Sequence, residues 1–167
     1  MIRGLVIREA KPDDHDGIAA LVEAAFGQPD EARLVERLRK DGDLVLDLVA
    51  TNETELVGHV AFSRLRIEGE DGRFDAVALA PMAVMPDRQR SGVGISLIEN
   101  AHHMLQEHGE ALSVVLGEPA YYGRFSYTHD RAGGFESDYQ GEALQALAWG
   151  TAPRSGRLIY PTAFSGL

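Results

Sequence analysis

Hydrophobic residues change their spacing several times along the chain, and each change marks an element. The apolar run Leu5-Val6-Ile7 within residues 2–8 predicts a first strand. Lys11-Pro12-Asp13-Asp14 then offers a helix start, with proline in the first turn and acids at the positive end of the dipole. Ile18, Leu21, Val22, Ala25 and Phe26 recur at helical spacing until Gly27 to Pro29 interrupt them. A second helix is expected over residues 29–40, with Ala32, Val35 and Leu38 inward and Gly42 as its stop.

Three strands should follow, over residues 44–51, 56–67 and 74–84, separated by the polar turns 52–54 and 68–72. The third is expected to break near Pro81, because proline cannot donate to the ladder and favours a bulge or a splayed edge. From Gly92 the period lengthens again: Val93, Leu97, Ile98, Ala101, Met104 and Leu105 form an amphipathic helix that His108-Gly109 ends. Residues 112–116 read as a buried strand and 119–124 as a short helix or turn. The tail from residue 132 mixes a short strand, a helical stretch over 142–148 and a last strand over 157–160. The resulting fold class is α/β: a mixed, twisted central sheet of about six or seven strands with flanking helices. Without repeats or a linker-like segment, residues 1–167 are expected to form one domain.

Composition narrows the function classes. With 44% hydrophobic and 25% charged residues the chain is globular in type. It has no cysteine, which excludes disulfides, thiolate metal sites and cysteine nucleophiles. Sixteen basic against 26 acidic residues give a net charge of −10, which disfavours broad nucleic-acid binding and permits a cationic substrate. No apolar run approaches the roughly 18 residues of a membrane span, and the N-terminal segment lacks the pattern of a signal peptide. Residence in the cytoplasm is the expectation.

The chemistry concentrates in residues 79–98, where a strand meets a glycine-containing turn and then a long helix. Such a junction aims unpaired main-chain N–H groups and the positive end of a helix dipole at one point, which suits a pyrophosphate. Gly92 and Gly94 permit a positive φ or a close backbone approach, and Arg88 and Arg90 stand beside the turn. No lysine follows the glycines, so this is not a nucleoside-triphosphate loop, and the third glycine of a dinucleotide fingerprint is missing.

Gln89-x-x-Gly92-x-Gly94, after Val84-x-Pro86, resembles the Gln/Arg-x-x-Gly-x-Gly/Ala acyl-CoA motif of the GNAT N-acetyltransferase superfamily. A second block, Val114-Val-Leu-Gly-Glu-Pro-Ala-Tyr-Tyr-Gly-Arg-Phe-Ser-Tyr127, is similar to the strand-plus-YY-x-R-F-G-F block of one bacterial branch, one long helix further on. The likeness covers residues 74–127, and Tyr160-Pro-Thr-Ala-Phe164 is similar to that branch as well. It implies a cleft where two parallel strands, residues 76–84 and 112–116, splay apart around acetyl-CoA. Main-chain groups of Met82, Ala83 and Val84 would pair with pantetheine. The amides of Gln89, Arg90, Ser91, Gly92, Val93 and Gly94 would wrap the pyrophosphate.

The same resemblance implies direct attack by a neutral amine on the thioester, with the Val84 N–H facing the developing oxyanion. Tyr122, at the family's distance from Ser126-Tyr127, would return a proton to the departing thiolate, and the adjacent Tyr121 stays open for that role. Ser126 stands where the family has glycine, and Tyr127 where it has phenylalanine. Glu118 and His59 are the candidate bases, beside the plainer readings of a solvated strand-end carboxylate and a packed, hydrogen-bonded strand histidine. The acceptor amine should be shaped by residues 26–38, 68–73 and 139–167. Expected partners are acetyl-CoA and an unidentified amine, with no nucleic acid, membrane or metal, and a homodimer stays open. The competing reading is a CoA-binding sensor or interaction module without catalysis. His103 and Glu107 share a helix face but lack a metal-binding signature, and Ser126, His129 and Asp130 lack a nucleophile elbow. Tyr139, Trp149 and Phe164 read first as core-filling aromatics.

Overall fold

The computed structural model describes residues 4–166 and places an eight-stranded mixed sheet between two helical layers. The first strand is β1 (Leu5–Glu9), so Ile2 and Arg3 of the expected segment lie outside the described residues. A single 3-10 turn at Pro12–Asp14 leads into α1 (His15–Phe26), which Gly27 ends at φ 72°. Next comes α2 (Asp30–Lys40), with acids in its first turn and basic residues in its last, as the dipole favours.

Strands β2 (Leu44–Asn52), β3 (Glu55–Gly69) and β4 (Gly72–Val84) form an antiparallel meander next to β1. The long helix α3 (Val93–Glu107) then crosses over to β5 (Leu112–Leu116), which pairs parallel with β4. Two single-turn helices follow, α4 (Pro119–Tyr122) and α5 (His129–Ala132). The short β6 (Phe135–Glu136), β7 (Leu144–Ala148) and β8 (Gly156–Ile159) complete the sheet in the order β1-β2-β3-β4-β5-β7, with β8 pairing both β3 and β6.

Alternation along the strands gives the sheet two apolar faces. Leu48, Ala50, Val60, Phe62 and Val77 face Val93, Leu97, Ile98 and Ala101 of α3. Gly58 of β3 makes this approach possible, because a Cβ there would stand 2.7 Å from Val93 and 2.9 Å from Leu97. On the other face Val49 and Ala83 meet Ile18 and Val22 of α1 and Ala32 and Val35 of α2. Leu34 and Leu38 of α2 also pack on Ala163 and Phe164, which brings the C-terminal segment against that helix.

One sequence expectation changes and another is met. Residues 144–148 are not helical but form β7, antiparallel to β5 from Leu116↔Leu144 to Leu112↔Ala148. Leucine, glutamine and alanine favour a helix locally, yet the open edge of β5 offers a ladder of main-chain partners that outweighs propensity. Near Pro81 the strand carries the expected bulge and runs on through it as one element. Val60 pairs with Met82 and Phe62 with Leu79, so Ala80 and Pro81 together oppose one residue of β3.

Candidate active site

That bulge shapes the site. β4 and β5 pair only over Val77–Leu79 and Ser113–Val115, immediately before the bulge, and beyond it they separate. A bulged strand bends and twists away from its neighbour. The main-chain edge of β4 from Ala80 to Val84 therefore leaves β5 and borders an opening in the middle of the sheet.

At the far end of β4 the chain turns into α3. A 3-10 turn spans Pro86–Arg88, Gln89 is extended, and Arg90 and Gly92 are left-handed at φ 65° and 91°. Gln89 Nε2 donates to the Val84 carbonyl at 3.3 Å, tying the turn back to the strand end. Left-handed residues in such a turn gather successive N–H groups around a concavity, and the first N–H groups of α3 have no carbonyl one turn back. Gly94 keeps this place open, since a Cβ there would lie 2.6 Å from Tyr121 Oη and 3.5 Å from Met82 Sδ.

Two cavities flank the opening. One of about 560 Å³ is bounded by Met82, Ala83 and Val84, by the turn residues Gln89, Arg90, Gly92 and Gly94, and by Ile95, Tyr121 and Arg124. The other, of about 490 Å³, lies toward α2 and the C-terminal segment, with Tyr122, Leu116, Leu34, Glu31, Tyr139, Tyr160 and Phe164 among its walls. Phe26 and Met82 line both, so the cavities adjoin at the opening.

The helix α4 assigns its two tyrosines to different cavities. Glu118 caps it, its carboxylate accepting from Ala120 N–H at 3.3 Å, and Pro119 occupies the first turn. The rings of Tyr121 and Tyr122 meet edge to face at 5.0 Å. Tyr121 lies 3.9 Å from Met82 Sδ through its hydroxyl and carries the Arg124 guanidinium 5.2 Å above its ring. The Tyr122 ring packs against Gly117, where no side chain would fit, and against Tyr127 with centroids 6.0 Å apart. Burial, then proximity to Tyr121, pushes the Tyr122 phenol up to about 12. Burial also raises Tyr121, against the pull of Arg124. Both phenols are therefore protonated at neutral pH and available as donors.

A buried polar cluster supports α4 from beneath. Tyr127 Oη is 2.7 Å from Ser113 Oγ and 3.0 Å from His102 Nε2. Burial without a charged partner brings His102 down to about 4. On the opposite face His59, wholly buried, sits 2.6 Å from Asp47, which also accepts from Arg39 at 2.9 Å. Burial pushes the Asp47 carboxyl up, but His59 and Arg39 pull it further down, leaving it below its ordinary value.

Of the residues expected to hold acetyl-CoA, Met82, Ala83, Val84, Gln89, Arg90, Gly92 and Gly94 line the first cavity. Val93 turns its side chain into the core beside Gly58, and Ser91 donates its hydroxyl to the Arg88 carbonyl. Arg88 itself reaches Glu55 at 3.4 Å. Neither Glu118 nor His59 lines either cavity. The second cavity draws on residues 26–34 and 139–164, whereas the 68–73 hairpin borders a separate hollow with Glu136, Arg154 and Gly156. Arg124, the arginine of the YY-x-R-F block, and Ile95, one residue past the glycine turn, were not singled out from the sequence, and both line the first cavity.

Comparison with known proteins decides the family. Residues 6–129 match the family described as Acetyltransferase (GNAT) domain. The chain belongs to the GNAT acetyltransferase family. The uncharacterized N-acetyltransferase YhbS of Escherichia coli is 40% identical over 144 residues, covering 81% of this chain and 85% of the relative. In three dimensions this GNAT chain is similar to the crystal structure of E. coli YhbS in complex with CoA, with a TM-score of 0.83 and 34% identity over 96% of this chain and 92% of that one. It is equally similar to a GNAT family acetyltransferase from Brucella melitensis in complex with acetyl-CoA, with a TM-score of 0.82 and 32% identity over 96% and 97% of the two chains.

Proposed function

We propose that this GNAT chain is an acetyl-CoA-dependent N-acetyltransferase that moves the acetyl group to an amine by direct attack in a ternary complex. The observation that carries the reading is the bulge-opened fork between β4 and β5 with adjoining cavities on its two sides. The acyl donor enters from one side and the amine from the other, so the thioester and the nucleophile meet at the fork, along the freed edge of β4. The relatives crystallised with CoA and acetyl-CoA support the assignment of the first cavity.

In this reading the turn 89–94 and the start of α3 hold the pyrophosphate through main-chain N–H groups and the helix dipole. The edge of β4 at Met82, Ala83 and Val84, no longer paired to β5, hydrogen-bonds pantetheine as an added strand would. Ser91 and Val93 take part through their amides alone. Orientation supplies much of the rate, because two bound reactants react as one.

The amine gives up its ammonium proton to solvent, and its nitrogen lone pair bonds to the acetyl carbon. The Val84 N–H stabilises the negative charge that develops on the carbonyl oxygen. As the C–S bond breaks, Tyr122 donates its phenolic proton to the sulfur, and the excess proton of the new amide nitrogen passes to solvent. Water restores the phenol. The sum is ammonium plus acetyl-CoA giving acetamide, CoA thiol and one proton. A phenol raised by burial suits this task, since it stays protonated until a thiolate forms beside it. Glu118 serves in this reading by fixing α4 and not as the base, because its carboxylate is committed to the helix cap.

The test is Tyr122→Phe, with Tyr121→Phe as its partner. Tyr122→Phe should lower kcat by about 10²-fold while CoA affinity stays within twofold. Tyr121→Phe should act mainly on the KM for acetyl-CoA. Unchanged turnover in Tyr122→Phe overturns the tyrosine assignment. Tight acetyl-CoA binding with no transfer to a broad amine panel overturns the enzyme reading in favour of a CoA-binding module.

A further inference from the structure

We infer that the cavity on the α2 side takes a primary amine with one positive charge on an aromatic or otherwise apolar body. This rests on the acetyltransferase reading and names the class of acceptor for it.

The first ground is apolar surface left in water where the cavity opens. Among the described residues the exposed large hydrophobics are Val6, Phe26, Leu116 and Tyr139, and the last three all line this one cavity. They are 42%, 49% and 41% exposed. Scattered exposed apolar residues need no explanation, but three at the same rim mark a place that an apolar group covers.

The second ground is the arrangement of rings. Tyr139 meets Tyr160 edge to face at 5.4 Å and 89°, and Tyr160 meets Phe164 at 5.3 Å. These residues come from separate parts of the tail, and Phe26 faces them from the end of α1. Such a wall offers ring faces to an aromatic or aliphatic body and to a cation beside it.

The third ground is charge. Among the described residues Glu31 is the single charged side chain lining the cavity. Gln28 Nε2 donates to its two oxygens at 3.0 and 3.2 Å, which fixes the carboxylate at the first turn of α2. One carboxylate collects one incoming ammonium, and the amine leaves it for the thioester once its proton has gone to solvent. A polyamine or an aminoglycoside would bring further charges that no other acid in the cavity meets, and an unpaired desolvated charge is expensive. The volume of about 490 Å³ lies within the range of small-molecule sites and holds a single ring with its side chain comfortably.

The probes are 2-phenylethylamine and tyramine against spermidine and kanamycin, each with acetyl-CoA and the purified full chain, followed by CoA release and product mass. The aryl monoamines should show kcat/KM at least about tenfold above both polycations. Glu31→Gln should raise the KM for 2-phenylethylamine about tenfold with kcat and the acetyl-CoA KM within twofold, and Tyr139→Ala should do the same. Preference for spermidine or kanamycin overturns the inference, and so does an unmoved amine KM in both variants. If acetyl-CoA binds and no amine is acetylated, the catalytic reading fails. Calorimetric titration of 2-phenylethylamine into the CoA complex then decides the site: heat lost in Glu31→Gln upholds it, and no heat in the unsubstituted protein overturns it.

Discussion

The cavities on the two sides of the β4–β5 fork are built from different parts of the chain. The first is bounded largely by one continuous stretch, residues 82–95, and its defining features are main-chain features: a bulge, two left-handed residues and a helix start. The second collects side chains from α1, α2, β4, β5, α4 and the C-terminal tail, and nothing in its backbone dictates which side chains those are. A site made of backbone constrains residue type at fixed spacing. A site made of side chains constrains only their meeting in space. In the proposed reading the first can serve every member of a family with one donor, while the second is free to change with the acceptor.

The largest expected effect follows from the first half of that contrast. Gly94→Val puts a Cβ 2.6 Å from Tyr121 Oη and adds two methyls at the wall of the cavity proposed for acetyl-CoA. Acetyl-CoA affinity should fall about 10²-fold, which is roughly 2.7 kcal/mol, within the usual range for overfilling a packed site. Calorimetry with CoA measures it. Tyr139→Ala, at the other cavity, should leave that affinity within twofold. Equal losses in the two variants would erase the distinction between the cavities.

The same contrast explains what the sequence disclosed. Gln89-x-x-Gly92-x-Gly94 could be read directly, because Gly92 must adopt φ 91° and Gly94 has no room for a Cβ. Pro81 signalled its bulge because a missing N–H cannot join a ladder whatever surrounds it. The resemblance pointed to residues 26–38 and 139–167 only as whole segments, and it takes the fold to pick out Tyr139, Phe164 and Glu31, more than a hundred residues away, as walls of one cavity. The strand β7 was hidden for a related reason. Its partner β5 lies a whole chain reversal earlier, and local propensity carries no trace of that edge.

Acid sharpens the comparison at the level of the core. Beneath the first cavity His102 has hydroxyl and aromatic neighbours and ionises only near 4, against an ordinary 6.5. On the opposite face His59 rests on the Asp47 carboxylate. The unfolded chain protonates a histidine near its ordinary value, so below it the unfolded state binds more protons than the folded one. Stability must then fall as pH drops from about 6.5 toward 4, by about 2 kcal/mol between pH 7 and pH 5 from His102 alone. Asp47, held low by His59 and Arg39, contributes its loss only further down, as pH falls through the carboxylate range. Urea denaturation at the two pH values should show the drop, and His102→Gln should flatten it. A drop of the same size in that variant would place the acid-labile group elsewhere.

The smallest effect concerns the segment that carries the tyrosines. Ser126 ends the 3-10 turn after α4 in a left-handed conformation, φ 76°, at the position where the related block has glycine. A residue with a Cβ costs about 1 kcal/mol or more in that region, and part of the relief from glycine is returned as entropy of the unfolded chain. Ser126→Gly should therefore stabilise the protein by roughly 0.5–1 kcal/mol, seen as a rise in Tm of a few degrees. Its amide bond to the Gly123 carbonyl, 3.1 Å, survives the change, so Tyr121 and Tyr122 keep their places. Acetyl-CoA affinity and the amine KM should both stay within twofold. If either moves further, the geometry of α4 depends on the Ser126 side chain, and the tyrosine that faces each cavity is set by more than the course of the backbone.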